Sequence, residues 1–156
     1  MKWKAYYRLT KPGVLYGNVL TTAAGFLLAS KGNIDWWLFL ATNVGTTLVI
    51  AAACVLNNYL DQDIDSKMER TKNRPLLAGD VSEKGALIFC FLMYALGIAI
   101  LAMWVNYLVV AIGIAGFVTY VWLYGAMSKR RSIHGTLVGS VSGAAPILAG
   151  YVAVTN

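Results

Sequence analysis

Charge is what this chain has least of: only 13% of its 156 residues are Asp, Glu, Lys or Arg, where a water-soluble domain carries about a quarter. With 58% of residues hydrophobic and a mean hydropathy of +0.62, too little polar surface exists to coat a soluble globule. The apolar excess is expected to face a lipid bilayer. Cysteine is also scarce, and Cys54 and Cys90 both lie in apolar stretches with no second cysteine or histidine at ligand spacing. That excludes a disulfide framework and gives no zinc pattern, so both read as packing residues. Histidine occurs once, as His134, and a lone imidazole reads as an ordinary loop residue rather than a haem ligand or proton carrier. The net charge of +6 does not point to nucleic acid, because the bases sit between apolar stretches instead of clustering with aromatics on a polar face.

What is present is a series of five charge-free stretches of about 18 to 22 residues: 13–30, 36–57, 85–105, 107–127 and 135–155. At 1.5 Å per residue each is long enough to cross a hydrocarbon core of about 30 Å. The strands of a membrane barrel would be about half as long and would alternate in polarity. The expected class is therefore all-α and transmembrane. The first stretch follows Lys2, Lys4, Arg8 and Lys11 and resembles a signal peptide in outline, but with four further spans behind it an uncleaved helix is the better reading.

Twelve of the thirteen bases fall before the first span, in the segment 57–84 or between the last two spans, and Lys31 alone lies on the other side. By the retention of Lys and Arg in short cytoplasmic loops, the N-terminus and both basic loops are expected in the cytoplasm, with Asn156 on the far side. Trp36, Trp37, Tyr107 and Tyr151 then fall at the far interface. Gly135, Gly139 and Gly143 recur at intervals of four in the last span, a spacing that suits close helix approach, and Pro146 is expected to kink the same helix.

Chemistry concentrates in Asn57-Asn58-Tyr59-Leu60-Asp61-Gln62-Asp63-Ile64-Asp65, followed by Arg70, Lys72 and Arg74. If the second span runs on as helix, Asn57, Asp61 and Asp65 stand at i, i+4 and i+8 and line one face. Mg²⁺ is normally held by one or two carboxylates together with phosphate oxygens and water, so this face suits a metal-complexed diphosphate. Asp63 points away and is either solvated or brought in by unwinding. Arg70, Lys72 and Arg74 suit the non-bridging phosphate oxygens, and Lys129, Arg130 and Arg131 form a second basic rim, which positive-inside topology explains equally well. The bland reading is a solvated loop of acids and bases pairing among themselves. Against it stand polar groups emerging directly from an apolar helix, where they are costly. Tyr120, Trp122 and Tyr124 suit either cation stabilisation through their π faces or interface anchoring.

These residues resemble a known family. Asn57-x-x-x-Asp61-x-x-x-Asp65 with Arg70-Thr71-Lys72-Asn73-Arg74-Pro75-Leu76 is similar to the first aspartate-rich motif of the UbiA-type intramembrane prenyltransferases, and specifically of the subfamily that farnesylates protohaem IX. Leu9-Thr10-Lys11-Pro12-Gly13, Lys129-Arg130 and Ser142-Gly143-Ala144-Ala145-Pro146 carry the resemblance along essentially the whole chain, although Ile147 stands where a second proline is usual. The resemblance implies a bundle of about nine helices with a second aspartate-rich motif in its other half. No carboxylate follows Glu83 here, so residues 1–156 resemble the N-terminal part of one prenyltransferase domain, expected to be inactive alone.

The implied activity is transfer of a farnesyl group from farnesyl diphosphate to a vinyl group of haem b, giving haem O, with haem as substrate. The site it implies is Asn57, Asp61 and Asp65 on Mg²⁺, with Arg70, Lys72, Arg74, Lys129 and Arg130 on the diphosphate, in the bacterial cytoplasmic (inner) membrane with its active face cytoplasmic. The alternatives are a related prenyltransferase acting on an aromatic quinone precursor, and a non-catalytic membrane subunit or transporter. A transporter would place its charges near the bilayer midplane, whereas every acid here lies outside the five stretches.

Overall fold

The computed structural model describes residues 2–128 and 135–156, the side chains of 124, 126–128 and 135–138 excepted. Every regular element among the described residues is a helix: α1 (Lys2–Leu9), α2 (Pro12–Ser30), α3 (Trp36–Leu60), α4 (Gln62–Asp65), α5 (Glu83–Trp104), α6 (Tyr107–Val118) and α7 (Gly135–Thr155), with α6 continuing as a wider π-wound segment over Thr119–Ser128. Helix starts are set by local chemistry. Asp35 Oδ1 accepts the Leu38 N–H at 3.0 Å, Ser82 Oγ that of Gly85 at 3.1 Å and Asn106 Oδ1 that of Val109 at 2.8 Å, each satisfying a donor the helix leaves open. Pro12 opens α2, where its missing N–H costs nothing.

Three helices, α2, α3 and α5, are long and apolar enough to cross a membrane; Tyr107–Leu123 and Gly139–Thr155 are shorter apolar helices. Hydroxyls inside the spans bond their own backbone, as Thr42 Oγ1 to Leu38 O and Ser30 Oγ to Phe26 O, which lets polar side chains sit in an apolar surrounding. Trp36, Trp37 and Tyr107 are exposed at the helix ends expected to lie at the far interface.

α3 is the central helix, packed against α5, α2, α6 and α7, while α7 lies along α2 and α6. More than half of the α3 apolar stretch is buried, against about a fifth for α2 and for α5. The close crossings are made by isolated glycines. A Cβ on Gly97 of α5 would stand 2.9 Å from Gly45 O of α3, and one on Gly150 of α7 only 2.0 Å from Thr22 O of α2. Gly25 reciprocates on α2, where a Cβ would meet Ile147 O at 2.1 Å. Gly143 of the four-residue stripe differs: a Cβ there would meet nothing within 4 Å, so this glycine faces open space.

A sharp contrast in stability follows. Gly150→Val forces α2 and α7 apart and is expected to lower the midpoint of thermal unfolding in detergent, with an overpacking cost of about 1–3 kcal/mol or more. Gly143→Ala gains helix propensity of up to about 1 kcal/mol and is expected to hold or raise the midpoint. Size-exclusion chromatography after graded heating reads both, and equal losses would refute the assignment of the two glycines.

Candidate active site

α3 stops at Leu60 because Asp61 adopts φ −90° and ψ 6°, so the helix bends here instead of running on unbroken. The four-residue relation survives the bend: the Asp61 N–H donates to Asn57 O at 3.0 Å and the Asp65 N–H to Asp61 O at 2.8 Å. Asn57, Asp61 and Asp65 are accordingly all buried, at 2%, 0% and 2% exposure. Asp63 is exposed, the solvated one of its two expected placements.

The segment after α4 folds back in turns instead of hanging free. Leu76 and Val81 are buried against Leu9, Val55 and Ala86, and the buried Thr71 donates its hydroxyl to Asp65 O at 3.1 Å. This brings Arg74 onto the acidic face, where its Nη1 donates to Asp65 Oδ2 in an ion pair whose side chains are 21% and 3% exposed. Among the described residues, Arg70 and Lys72 form no ion pair with it. Arg70 is exposed, and Lys72 pairs with Glu69 at 2.7 Å on the surface, their side chains 48% and 90% exposed, an arrangement of little energetic weight. Lys129, Arg130, Arg131 and His134 lie outside the described residues.

The base that meets Asn57 comes from elsewhere. Lys11, in the break between α1 and α2, donates its Nζ to Asn57 Oδ1 and also approaches the Tyr120 hydroxyl at 3.5 Å, with the ammonium 5.9 Å from the Tyr120 ring centroid. Its backbone is left-handed, φ 52° and ψ 70°, a conformation that costs a non-glycine residue about 1 kcal/mol or more and persists where the surroundings enforce it. Asn58 does the enforcing. Its buried Nδ2 donates to Leu9 O at 2.7 Å and to Cys54 O at 3.1 Å, pinning the α1–α2 break to α3. Lys11 counted only toward topology and motif similarity in the sequence. The available signal was Lys-Pro at the head of an apolar run, where Pro12 starts the helix and disfavours helical backbone at the residue before it.

Beside this polar cluster α2, α3, α6 and α7 line a half-open cavity of about 490 Å³, whose walls are mainly apolar and small side chains, among them Val14, Cys54, Phe117, Gly143 and Pro146. Tyr120, bonded to Lys11, and Cys54, one turn before Asn57, are part of its wall. The π-wound segment brings Gly125 close enough to Asn57 that a Cβ would stand 3.0 Å from Nδ2. Wide turns of this kind recur at functional sites. The same Asn57 Nδ2 is buried without a hydrogen-bond partner, a donor turned toward whatever fills the space beside it. Trp122 is exposed, and the Tyr124 side chain lies outside the described residues.

The donor set can be tested against a hard cation. Among the described residues no three His, Cys, Asp or Glu side chains gather as a complete metal cage. Two buried carboxylates and an amide oxygen on successive turns remain, and that incomplete set fits Mg²⁺, which keeps several waters and takes further oxygens from phosphate.

One measurement separates pairing from solvation at this site. Arg74→Met leaves Asp65 buried and without its cation, and removing one partner of such a pair costs on the order of 3 kcal/mol; partial exposure of Arg74 trims this. Arg74→Met with Asp65→Asn is expected to regain most of the thermal midpoint. Failure of the double variant to recover would show that the ion pair is not what Arg74 supplies.

A bundle of apolar helices with a polar cluster buried beside an apolar cavity defines an integral membrane protein. The chain belongs to the UbiA prenyltransferase family, whose pattern matches residues 18–156. It is 53% identical over its full 156 residues to a protoheme IX farnesyltransferase of Pseudomonas savastanoi pv. phaseolicola, of which it covers 53%. With protoheme IX farnesyltransferases of Serratia proteamaculans and Acinetobacter baylyi the identity is 51% and 52% over 153 residues, 52% of each relative. The chain spans about half the length of the curated relatives it matches. A solved structure of digeranylgeranylglyceryl phosphate synthase superposes with a TM-score of 0.86 over 99% of this chain and 55% of that one, at 24% identity, a likeness of fold.

Proposed function

We propose that this chain supplies one half-site of an enzyme that transfers farnesyl from farnesyl diphosphate to a vinyl group of haem b, giving haem O, in the bacterial inner membrane with its active face toward the cytoplasm. The observation that carries the proposal is the burial of Asn57, Asp61 and Asp65 on one face beside an apolar cavity. The identity to protoheme IX farnesyltransferases supports the choice of haem as acceptor.

In this reading Asp61, Asp65 and the Asn57 amide oxygen hold Mg²⁺, which when bound neutralises charge on the departing diphosphate. Lys11 exchanges its Asn57 contact for a diphosphate oxygen, and the Asn57 Nδ2 donates to another. Arg74 holds Asp65 in place, while Arg70, Lys72, Lys129 and Arg130 draw the anion to the rim. The allylic C–O bond breaks with its electron pair leaving on the diphosphate. The vinyl carbon of haem b then attacks the allylic cation, and water captures the resulting centre with loss of a proton. Until that last step the apolar wall keeps water from the cation, and the fixed charges around the leaving group lower the barrier because they need no reorganisation.

The test compares membranes carrying this chain alone with membranes co-expressing the C-terminal half of one of its relatives, each supplied with haem b, farnesyl diphosphate and Mg²⁺. Haem O is expected only from the pair. Product from the chain alone would refute the half-site reading, and product from neither would favour a non-catalytic subunit.

A further inference from the structure

The wall of the cavity contains four glycines, Gly113 and Gly116 on α6 and Gly139 and Gly143 on α7. Those whose surroundings are described are not equivalent. A Cβ on Gly116 would stand 2.9 Å from Ala145 Cβ, so there the missing side chain serves contact between helices, whereas one on Gly113 would stand 3.7 Å from Leu101 Cδ1, an ordinary contact beside a packed neighbour. At Gly143 a Cβ would meet nothing within 4 Å, and its missing side chain leaves room in the cavity. Gly143 lies partway along it: Cys54 and Tyr120 mark the end beside Asn57 and Lys11, and Ala149, packed with Phe26 and Val109, marks the other.

We propose that Gly143 sets the length of isoprenoid chain the cavity accepts. The inference rests on the prenyl diphosphate reading above. A chain whose diphosphate is held at the Lys11 and Asn57 end must pass Gly143 before reaching Ala149, and a side chain at 143 projects across that path. The polar end is independently marked by the buried, unpartnered Asn57 Nδ2, which suits the head of such a ligand and not its tail. Because the obstruction falls on the tail, it discriminates by length: short chains end before it and longer ones collide with it.

The full chain in lipid nanodiscs, with Mg²⁺ and radiolabelled geranyl diphosphate as probe, is challenged with unlabelled geranyl, farnesyl and geranylgeranyl diphosphates. Gly143→Leu is expected to shift the affinity ratio against geranylgeranyl, relative to geranyl, by about tenfold or more, the scale on which a pocket resolves methylenes, with farnesyl between. Gly143→Val, smaller and read alongside in case the leucine variant does not assemble, is expected to shift it in the same direction by less. Unchanged ratios, or an equal loss for all three lengths, would overturn the role of Gly143 while leaving the prenyl diphosphate reading intact. Failure of the wild-type chain to bind any of the three would overturn that reading and the inference together.

Discussion

Asp61→Asn is expected to cut haem O formation by the co-expressed halves at least a hundredfold while leaving the chain as stable as wild type. The reasoning starts from burial. Asp61 has no solvent exposure and sits at the bend where α3 gives way to α4, its backbone tied into both helices through Asn57 O and the Asp65 N–H. Asparagine keeps the shape, and those backbone bonds do not depend on the side chain, so the bend survives. What is lost is a negative charge held in a water-poor place. An amide of the same shape still hydrogen-bonds there, and in the presence of a chelator the thermal midpoint is expected to stay close to that of wild type. With Mg²⁺ wild type is expected to rise above the variant, since it gains stability from ligand linkage and the variant does not. Loss of one preorganised electrostatic contact at a leaving group typically costs about a hundredfold to a thousandfold in rate. Full activity in Asp61→Asn would remove it from the metal site, and a lowered midpoint in chelator would mean that its charge serves the fold.

The class of the fold was legible because the bilayer imposes it: a charge-free run near 20 residues has few outlets other than a membrane helix, and the stretches around α2, α3 and α5 are such runs. The acidic face was legible because a helical repeat survives a bend that preserves i to i+4 backbone bonding, as it does through Asp61. Partner choice was not. Arg70, Lys72 and Arg74 look alike in a charge run, and only the turns that bury Thr71, Leu76 and Val81 decide that Arg74 folds back onto Asp65 while Lys72 stays with Glu69. Lys11 lies 46 positions from Asn57, a separation no periodicity spans. At Gly143 the repeat was uninformative for a related reason. A four-residue repeat says that one face is small and not what the face meets; the face at Gly143 looks into a cavity, while the unrepeated Gly25, Gly45, Gly97 and Gly150 carry the helix crossings.

Lys11→Gly separates the strain at the α1–α2 break from the charge placed there. The left-handed backbone at Lys11 is one glycine adopts freely, so the variant sheds a conformational cost of about 1 kcal/mol, offset in part by the greater freedom glycine gives the unfolded chain. The anchor from Asn58 to Leu9 O stays in place. Removing the ammonium also leaves the buried Asn57 amide oxygen without its donor, which costs about 1–3 kcal/mol, so Lys11→Gly is expected to lose that amount less the relief of strain, while turnover of the co-expressed halves falls about a hundredfold for want of the ammonium at the leaving group. Lys11→Met loses the same charge but keeps the strained backbone, so it is expected to be equally inactive and less stable than Lys11→Gly. That ordering, two variants alike in activity and different in stability, is what a strained residue held for its function requires. If Lys11 served only to brace the α1–α2 break, activity would follow stability across the pair, and Lys11→Gly would be the more active of the two.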